Sequence, residues 1–169
     1  MAPLVRRSWS LKGHTPVLRQ RTSAHRKVSA IAAVCIAPKR DRLSLYFRLY
    51  PNANVNSECA LQFLEQLQRQ LRTPIVLVWD SFQAHKGKPI KQCLLPRSAH
   101  LAYLPPYAPE LNPVEYVWAY LKHHRLANDP APDLHTLAHR ARCAALSVQR
   151  RQDLLRAFLR HTKLPLRLG

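Results

Sequence analysis

Two carboxylates in this 169-residue chain stand where acids do chemistry. Asp80 closes the apolar run Pro74-Ile75-Val76-Leu77-Val78-Trp79, which reads as a strand buried on both faces. The C-terminal end of such a strand is where open α/β sheets place their ligands. Glu115 follows Asn112-Pro113-Val114. Asn112 is a good N-cap and Pro113 suits the first helical position, so Glu115 falls in a helix's first turn. Val114, Val117, Trp118 and Leu121 then recur at helical spacing and define a packed face. Carboxylates at two such places can share divalent metal ions. Such ions activate a nucleophile and stabilise a leaving oxygen in phosphodiester chemistry. Two plainer readings compete: Glu115 as the reciprocal half of a capping box with Asn112, and Asp80 as a strand-end turn residue.

The elements that must position these acids follow from periodicity. Lys27 to Ala37 is rich in Val, Ile and Ala and predicts a strand. Leu43 to Tyr50 alternates, with Leu43, Leu45, Phe47 and Leu49 on one side, which predicts a half-buried strand pairing back on the first. The charged turn between them holds Asp41, read as solvated. Asn56 or Ser57 caps a helix to about Arg72, with Glu58 favouring its dipole and Phe63, Leu64, Leu67 and Leu71 in its apolar stripe. Lys86 to Leu95 predicts a short helix, Leu101 to Leu104 a strand, and Asp133 to Gln149 and Arg150 to Thr162 two more helices. The order strand, strand, helix, strand, helix, strand, helices is α/β with a mixed sheet. Residues 1–163 form one domain and 164–169 a loose tail.

Charge points to the partner. There are 27 Lys and Arg against 9 Asp and Glu, a net charge of +18, which implies a polyanion, nucleic acid first. Residues 1–50 carry 11 basic residues and one acid; residues 51–115 carry six and five; residues 116–169 carry ten and three. The near-neutral middle thus holds both candidate metal ligands between basic ends able to meet phosphates. Arg6, Arg7, Lys12 and Lys122 are candidate phosphate ligands, and His85 a candidate DNA contact or metal-orienting residue. Trp9 reads as a packing anchor. Cys35, Cys59, Cys93 and Cys143 show no C-x-x-C pairing, which argues against a zinc site or a disulfide framework. His135 and His139, four apart on a helix without an accompanying acid, read as solvated. No signal peptide or membrane span is evident, and a cytoplasmic, nucleoid-associated protein is expected.

The string Asp80-x4-His85, then Leu104-Pro-Pro-Tyr-Ala-Pro-Glu-Leu-Asn-Pro-Val-Glu-Tyr-Val-Trp118-x-x-Leu-Lys122, resembles the DDE transposases of bacterial insertion sequences related to mariner elements. The resemblance covers nearly the whole chain, and its motif around Asn112, Pro113, Glu115 and Trp118 is specific. It implies an RNase H-like fold, a metal-binding Asp, Asp, Glu triad, Mg2+ or Mn2+ as cofactor, and DNA cleavage and strand transfer. By residue match, Asp80 is the second acid and Glu115 the third. Ser81 stands where the family usually has Asn, and the first Asp has no counterpart. In the resembled fold the strand bearing that Asp lies mid-sheet and precedes Met1. The expectation is therefore an N-terminally truncated catalytic domain, inactive alone. Its partners would be transposon ends, target DNA, an upstream reading-frame product and a second copy. The alternative is a non-catalytic basic nucleic-acid-binding protein.

Overall fold

The structure, a computed structural model, describes residues 6–7, 9–15, 17, 27–80 and 100–166. It begins with an antiparallel hairpin, β1 (Val28–Ile36) and β2 (Leu43–Pro51), in the register Ala33↔Tyr46. The connecting turn is closed by Ala37 N–H to the Arg42 carbonyl at 2.9 Å and Arg40 N–H to the Ala37 carbonyl at 2.8 Å. Helix α1 (Ser57–Leu71) follows. Asn56 caps it, its side chain accepting from Cys59 N–H at 2.9 Å, and Glu58 lies in its first turn. Arg72 ends it in the left-handed conformation, donating to the Gln68 carbonyl. Strand β3 (Val76–Trp79) pairs in parallel with β4 (His100–Tyr103), Trp79 opposite Tyr103. A 3-10 turn (Pro109–Leu111) leads into α2 (Pro113–Tyr120), which runs on as a π-helical turn (Leu121–Arg125). Helices α3 (Leu134–Gln149) and α4 (Gln152–His161) complete the order.

The architecture is the mixed α/β arrangement expected, with one difference: the strands form two separate two-stranded sheets, β1-β2 and β3-β4. Strand alternation sends each hairpin residue to one of two layers. Leu43, Leu45, Val34 and Ile36 face α2, α3 and α4, where Val117, Ala145, Val148 and Leu155 are fully buried. Full burial of a side chain such as Leu45 or Leu155 contributes about 1.5–3 kcal/mol. Ile31, Ala33, Tyr46 and Tyr50 face the other way, onto Ala60, Phe63 and Leu64 of α1. The half-buried strand expected at residues 43–50 is thus covered on both sides. Its outer backbone edge is occupied too. Gln152 accepts from Leu43 N–H at 3.0 Å and donates to the Leu43 carbonyl at 2.7 Å, and Gln149 donates to the Leu45 carbonyl at 2.6 Å. These side chains stand where another strand would pair.

Two sequence expectations are corrected. The Pro74–Trp79 run is not buried on both faces: Leu77 and Trp79 pack towards α1, but Val76 and Val78 are 69% and 50% exposed. The residue types ask for two covering layers, and among the described residues only α1 supplies one. Trp9 is no packing anchor; it is fully exposed. A strand or helix cannot pull it inward, because residues 9–15 carry neither. The helix expected at residues 86–95, with Ser81, His85 and Cys93, lies outside the described residues.

Candidate active site

Asp80 directly follows β3 and is partly buried. The next strand ends beside it, since Leu104 N–H donates to the Trp79 carbonyl at 2.7 Å. Because β3 and β4 are parallel, both strands deliver their C-terminal ends to the same side, the position open α/β sheets use for ligands. From Leu104, which is buried, the chain crosses a proline-rich loop to Asn112 and enters α2. That one loop therefore starts at the Asp80 end of the sheet and finishes at Glu115.

Glu115 lies in the first turn of α2 and is exposed. The capping-box alternative fails on the hydrogen bonds. In such a box the cap side chain accepts from the N–H three residues on, and the glutamate side chain returns to the N–H of the cap residue. Here the Asn112 side chain accepts instead from Val114 N–H at 3.0 Å. The Asn112 N–H donates to the Pro109 carbonyl at 3.0 Å. Glu115 N–H goes to the Asn112 carbonyl at 3.1 Å, a 3-10-type bond of a helix's first turn. The helix start is satisfied without the Glu115 carboxylate, which points to solvent uncommitted to the cap.

Helix α2 is held rigidly behind that carboxylate. Val117 is fully buried, Leu121 nearly so, and Trp118 packs against the same core. The Tyr116 hydroxyl lies 3.2 Å from the Glu110 carbonyl and 3.3 Å from that of His161, and its ring stacks on His161 at 5.7 Å. These contacts tie the loop before α2 to the end of α4. Past Tyr120 the α-helical register yields to a π turn, closed by Leu126 N–H to the Leu121 carbonyl at 2.9 Å. Lys122 therefore does not sit on an uninterrupted helical line with Glu115. It begins an exposed basic run, Lys122-His123-His124-Arg125, at the end of the helix, where cations suit the dipole.

The N-terminal arm comes to that basic turn. Arg6 N–H donates to the Asn128 side chain at 2.7 Å, Asn128 donates back to the Arg6 carbonyl at 2.9 Å, and the Arg6 guanidinium donates to the His123 carbonyl at 3.0 Å. Arg6 and the Lys122 turn thus share one surface. Arg7 and Lys12 are exposed nearby in sequence. Asn128, the clasp of this contact, was not singled out from sequence; its left-handed φ of 56° is the kind of turn Asn accepts, and no periodicity marks it. Asp41 stays in the exposed hairpin turn, as expected. His135 and His139 are exposed on α3, and Cys143 Sγ lies 3.8 Å from His139 Nε2. Among the described residues no three His, Cys, Asp or Glu side chains gather into a group able to hold a metal ion, and Cys35, Cys59 and Cys143 are free thiols. An open groove of about 510 Å³, lined by Arg48, Gln62, Glu65 and Arg69 among others, includes neither Asp80 nor Glu115.

Residues 2–138 match the model of the DDE superfamily endonuclease family. The chain belongs to that family. No curated protein matches it. Among solved structures it is similar to the Mos1 mariner paired-end complex with Mn, at 14% identity and a TM-score of 0.61 over 95% of this chain and 49% of that one. It is similar also to the Mos1 transposase paired-end complex with left transposon end, at 16% identity and a TM-score of 0.62 over 94% and 47%. The Mos1 transposase catalytic domain solved with raltegravir and Mg aligns at 13% identity and a TM-score of 0.50 over 83% and 85%. At these identities the likeness shows the fold, the RNase H-like α/β arrangement that the family resemblance implied. The chain spans about half the length of the Mos1 chains in the paired-end complexes. No helix among its described residues is long and apolar enough to cross a membrane.

Proposed function

We propose that this DDE-family chain is a transposase catalytic domain, spanning residues 1–163, in which Asp80 and Glu115 are metal ligands. One observation carries the assignment: the cap of α2 closes without the Glu115 carboxylate, leaving an exposed acid at a rigid helix start, on the loop that leaves β4 beside the Asp80 end of β3. Carboxylate oxygens are the donors that Mg2+ and Mn2+ select. When bound, such ions supply an activated nucleophile and stabilise the departing 3′-oxygen in phosphodiester cleavage and strand transfer. The chain's own residues orient the reaction: β3 and α2 fix the two acids, and the basic surface around Arg6 and Lys122 holds phosphate. Transposon-end and target DNA are the substrates.

Two carboxylates are too few to hold two divalent ions against their mutual repulsion. The third is supplied from outside these 169 residues, on a strand ending in Asp that pairs between β1 and β3, where the two sheets are now separate. An upstream reading-frame product is one source and a homodimeric assembly is the working form. The test compares Mn2+ binding, read by water-proton relaxation, in the chain and its Asp80→Asn and Glu115→Gln variants. It then compares Mg2+-dependent strand cleavage by the 169-residue chain with that of a chain extended by the Asp-bearing strand. Weak Mn2+ binding lost in both variants, with cleavage only by the extended chain, is the expected result. Binding indifferent to both substitutions removes the two acids from the site, and efficient cleavage by the 169-residue chain removes the need for a third.

A further inference from the structure

Among the described residues, six other than glycine have a positive φ, and five of them have a local reason. Arg72 and Lys163 follow helix ends, Arg40 turns the β1–β2 hairpin, and Asn52 and Asn128 are of the type that best tolerates the left-handed region. The sixth is Tyr107, at φ 59° in the loop between β4 and α2. Pro106 precedes it, the order that a type II turn uses, and that turn reserves the second central position for Gly or Asn. A tyrosine there carries steric strain that glycine avoids. No packing among the described residues repays it, for the side chain of Tyr107 is fully exposed.

The backbone on either side is fixed. Leu104 is bonded to the Trp79 carbonyl, Leu111 N–H to the Ala108 carbonyl at 3.1 Å, and the Glu110 carbonyl to the Tyr116 hydroxyl. Prolines at 105, 106 and 109 remove further freedom. The loop is therefore a stiff mount that holds an aromatic ring in solvent. Three Cα–Cα steps lead from Leu104 to Tyr107, so its Cα lies within about 11 Å of Leu104, at the Asp80 end of the sheet. Each strand of a B-form duplex rises about 3.4 Å per nucleotide, which puts the ring within about three nucleotides of a phosphate held there.

We propose that Tyr107 is a stacking platform for an unpaired DNA base next to the scissile phosphodiester. This rests on the reading of the chain as a DNA-cutting domain and adds a substrate contact to it. The strain belongs with the function: a ring already fixed outward loses little freedom when a base stacks on it.

The test uses the full chain with a duplex bearing a short single-stranded overhang that contains 2-aminopurine, and a blunt duplex of the same sequence. Base–aromatic stacking predicts that Tyr107→Ala and Tyr107→Gly bind the overhang roughly 5- to 150-fold more weakly and leave 2-aminopurine unquenched. Tyr107→Phe should match the parent, blunt-duplex affinity should hardly change, and the salt dependence should keep its slope because no phosphate contact is lost. Tyr107→Gly suits the left-handed turn, so it should melt at or above the parent temperature, separating loss of the platform from loss of the fold. Ala and Gly variants that bind and quench like the parent would overturn the platform while leaving the DNA reading intact. A parent chain that binds neither DNA overturns both.

Discussion

Replacing Asn112 with Ala removes the acceptor for Val114 N–H, a 3.0 Å bond at a partly buried position. Loss of such a cap costs about 1 kcal/mol. For a chain of this size that corresponds to a fall in melting temperature of about 2–4 °C. Asn112→Ser should recover most of it, since a serine hydroxyl caps nearly as well without adding charge beside Glu115. Thermal unfolding of the three proteins, followed by far-ultraviolet circular dichroism, measures both steps. The variants also separate two ways of starting the helix. Pro113 presets φ at the first position, and Val117 and Leu121 pin the inner face to the core. If those suffice, Asn112→Ala melts with the parent and the cap is redundant. If Ala destabilises and Ser fails to restore, the lost contribution is packing of the Asn112 side chain, and the hydrogen-bond account is wrong.

The net charge of +18 predicts duplex DNA binding whose logarithmic affinity falls with log salt by about 0.9 per phosphate neutralised; an affinity flat between two salt concentrations defeats this. Leu155→Ala, at a fully buried site, should cost about 2–5 kcal/mol in denaturant titrations, whereas Val76→Thr on the uncovered face of β3 should stay within about 0.5 kcal/mol. Burial pushes the Cys35 thiol up to about 11, so near neutral pH a maleimide should label exposed Cys143 well before Cys35. The Thr136 backbone N–H holds the Asp133 carboxyl below the usual carboxylate range. Its folded pKa is depressed, so its stabilisation is present above the ordinary value of about 3.9 and is lost as pH falls through the folded value. Asp133→Asn should flatten that part of the acid-unfolding curve.

What could be read from sequence was what depends on neighbours in sequence. The start of α2 was legible because Asn, Pro and the helical spacing of Val117 and Leu121 act within a few residues. The β1–β2 hairpin was legible because alternation of Leu43, Leu45 and Phe47 encodes one face of a strand. The errors fell where a distant layer decides. Val76 and Val78 carry strand-core chemistry, but their burial depends on what covers β3 from behind. Trp9 is apolar, yet its segment offers no periodic element to seat it. The π turn at residues 121–125 left no mark in a run without Gly or Pro, since it is set by packing against α3 and by the Leu126 bond. The status of Glu115 turned on one alternative partner for Asn112 N–H, the Pro109 carbonyl, which composition cannot distinguish from the glutamate side chain.

The relation between the two acids is carried by packing, because among the described residues no strand pairing joins their supports. A two-stranded sheet is marginal by itself in water. The β3–β4 pair, which bears Asp80, rests its inner face on α1 through Leu77, Trp79 and Leu101. The same helix packs through Ala60, Phe63 and Leu64 against Ile31 of β1. Strand β1 in turn shows its opposite face, Ala32, Val34 and Ile36, to the core that buries Val117 and Leu121 of α2. Asp80 is thus referenced to Glu115 through α1, then β1, then α2, each link apolar and without direction of its own. Hydrogen bonds fix the ends of this path: Leu104 to Trp79 at one acid, Asn112 to Val114 at the other. The middle is fixed mainly by shape, with the Tyr50 hydroxyl donating to the Cys59 carbonyl at 3.4 Å as a polar tie between the hairpin and α1. A strand paired between β1 and β3 would replace that soft reference with a ladder of backbone bonds, which is why a third carboxylate delivered on such a strand would both complete the ligand set and stiffen the two acids already present.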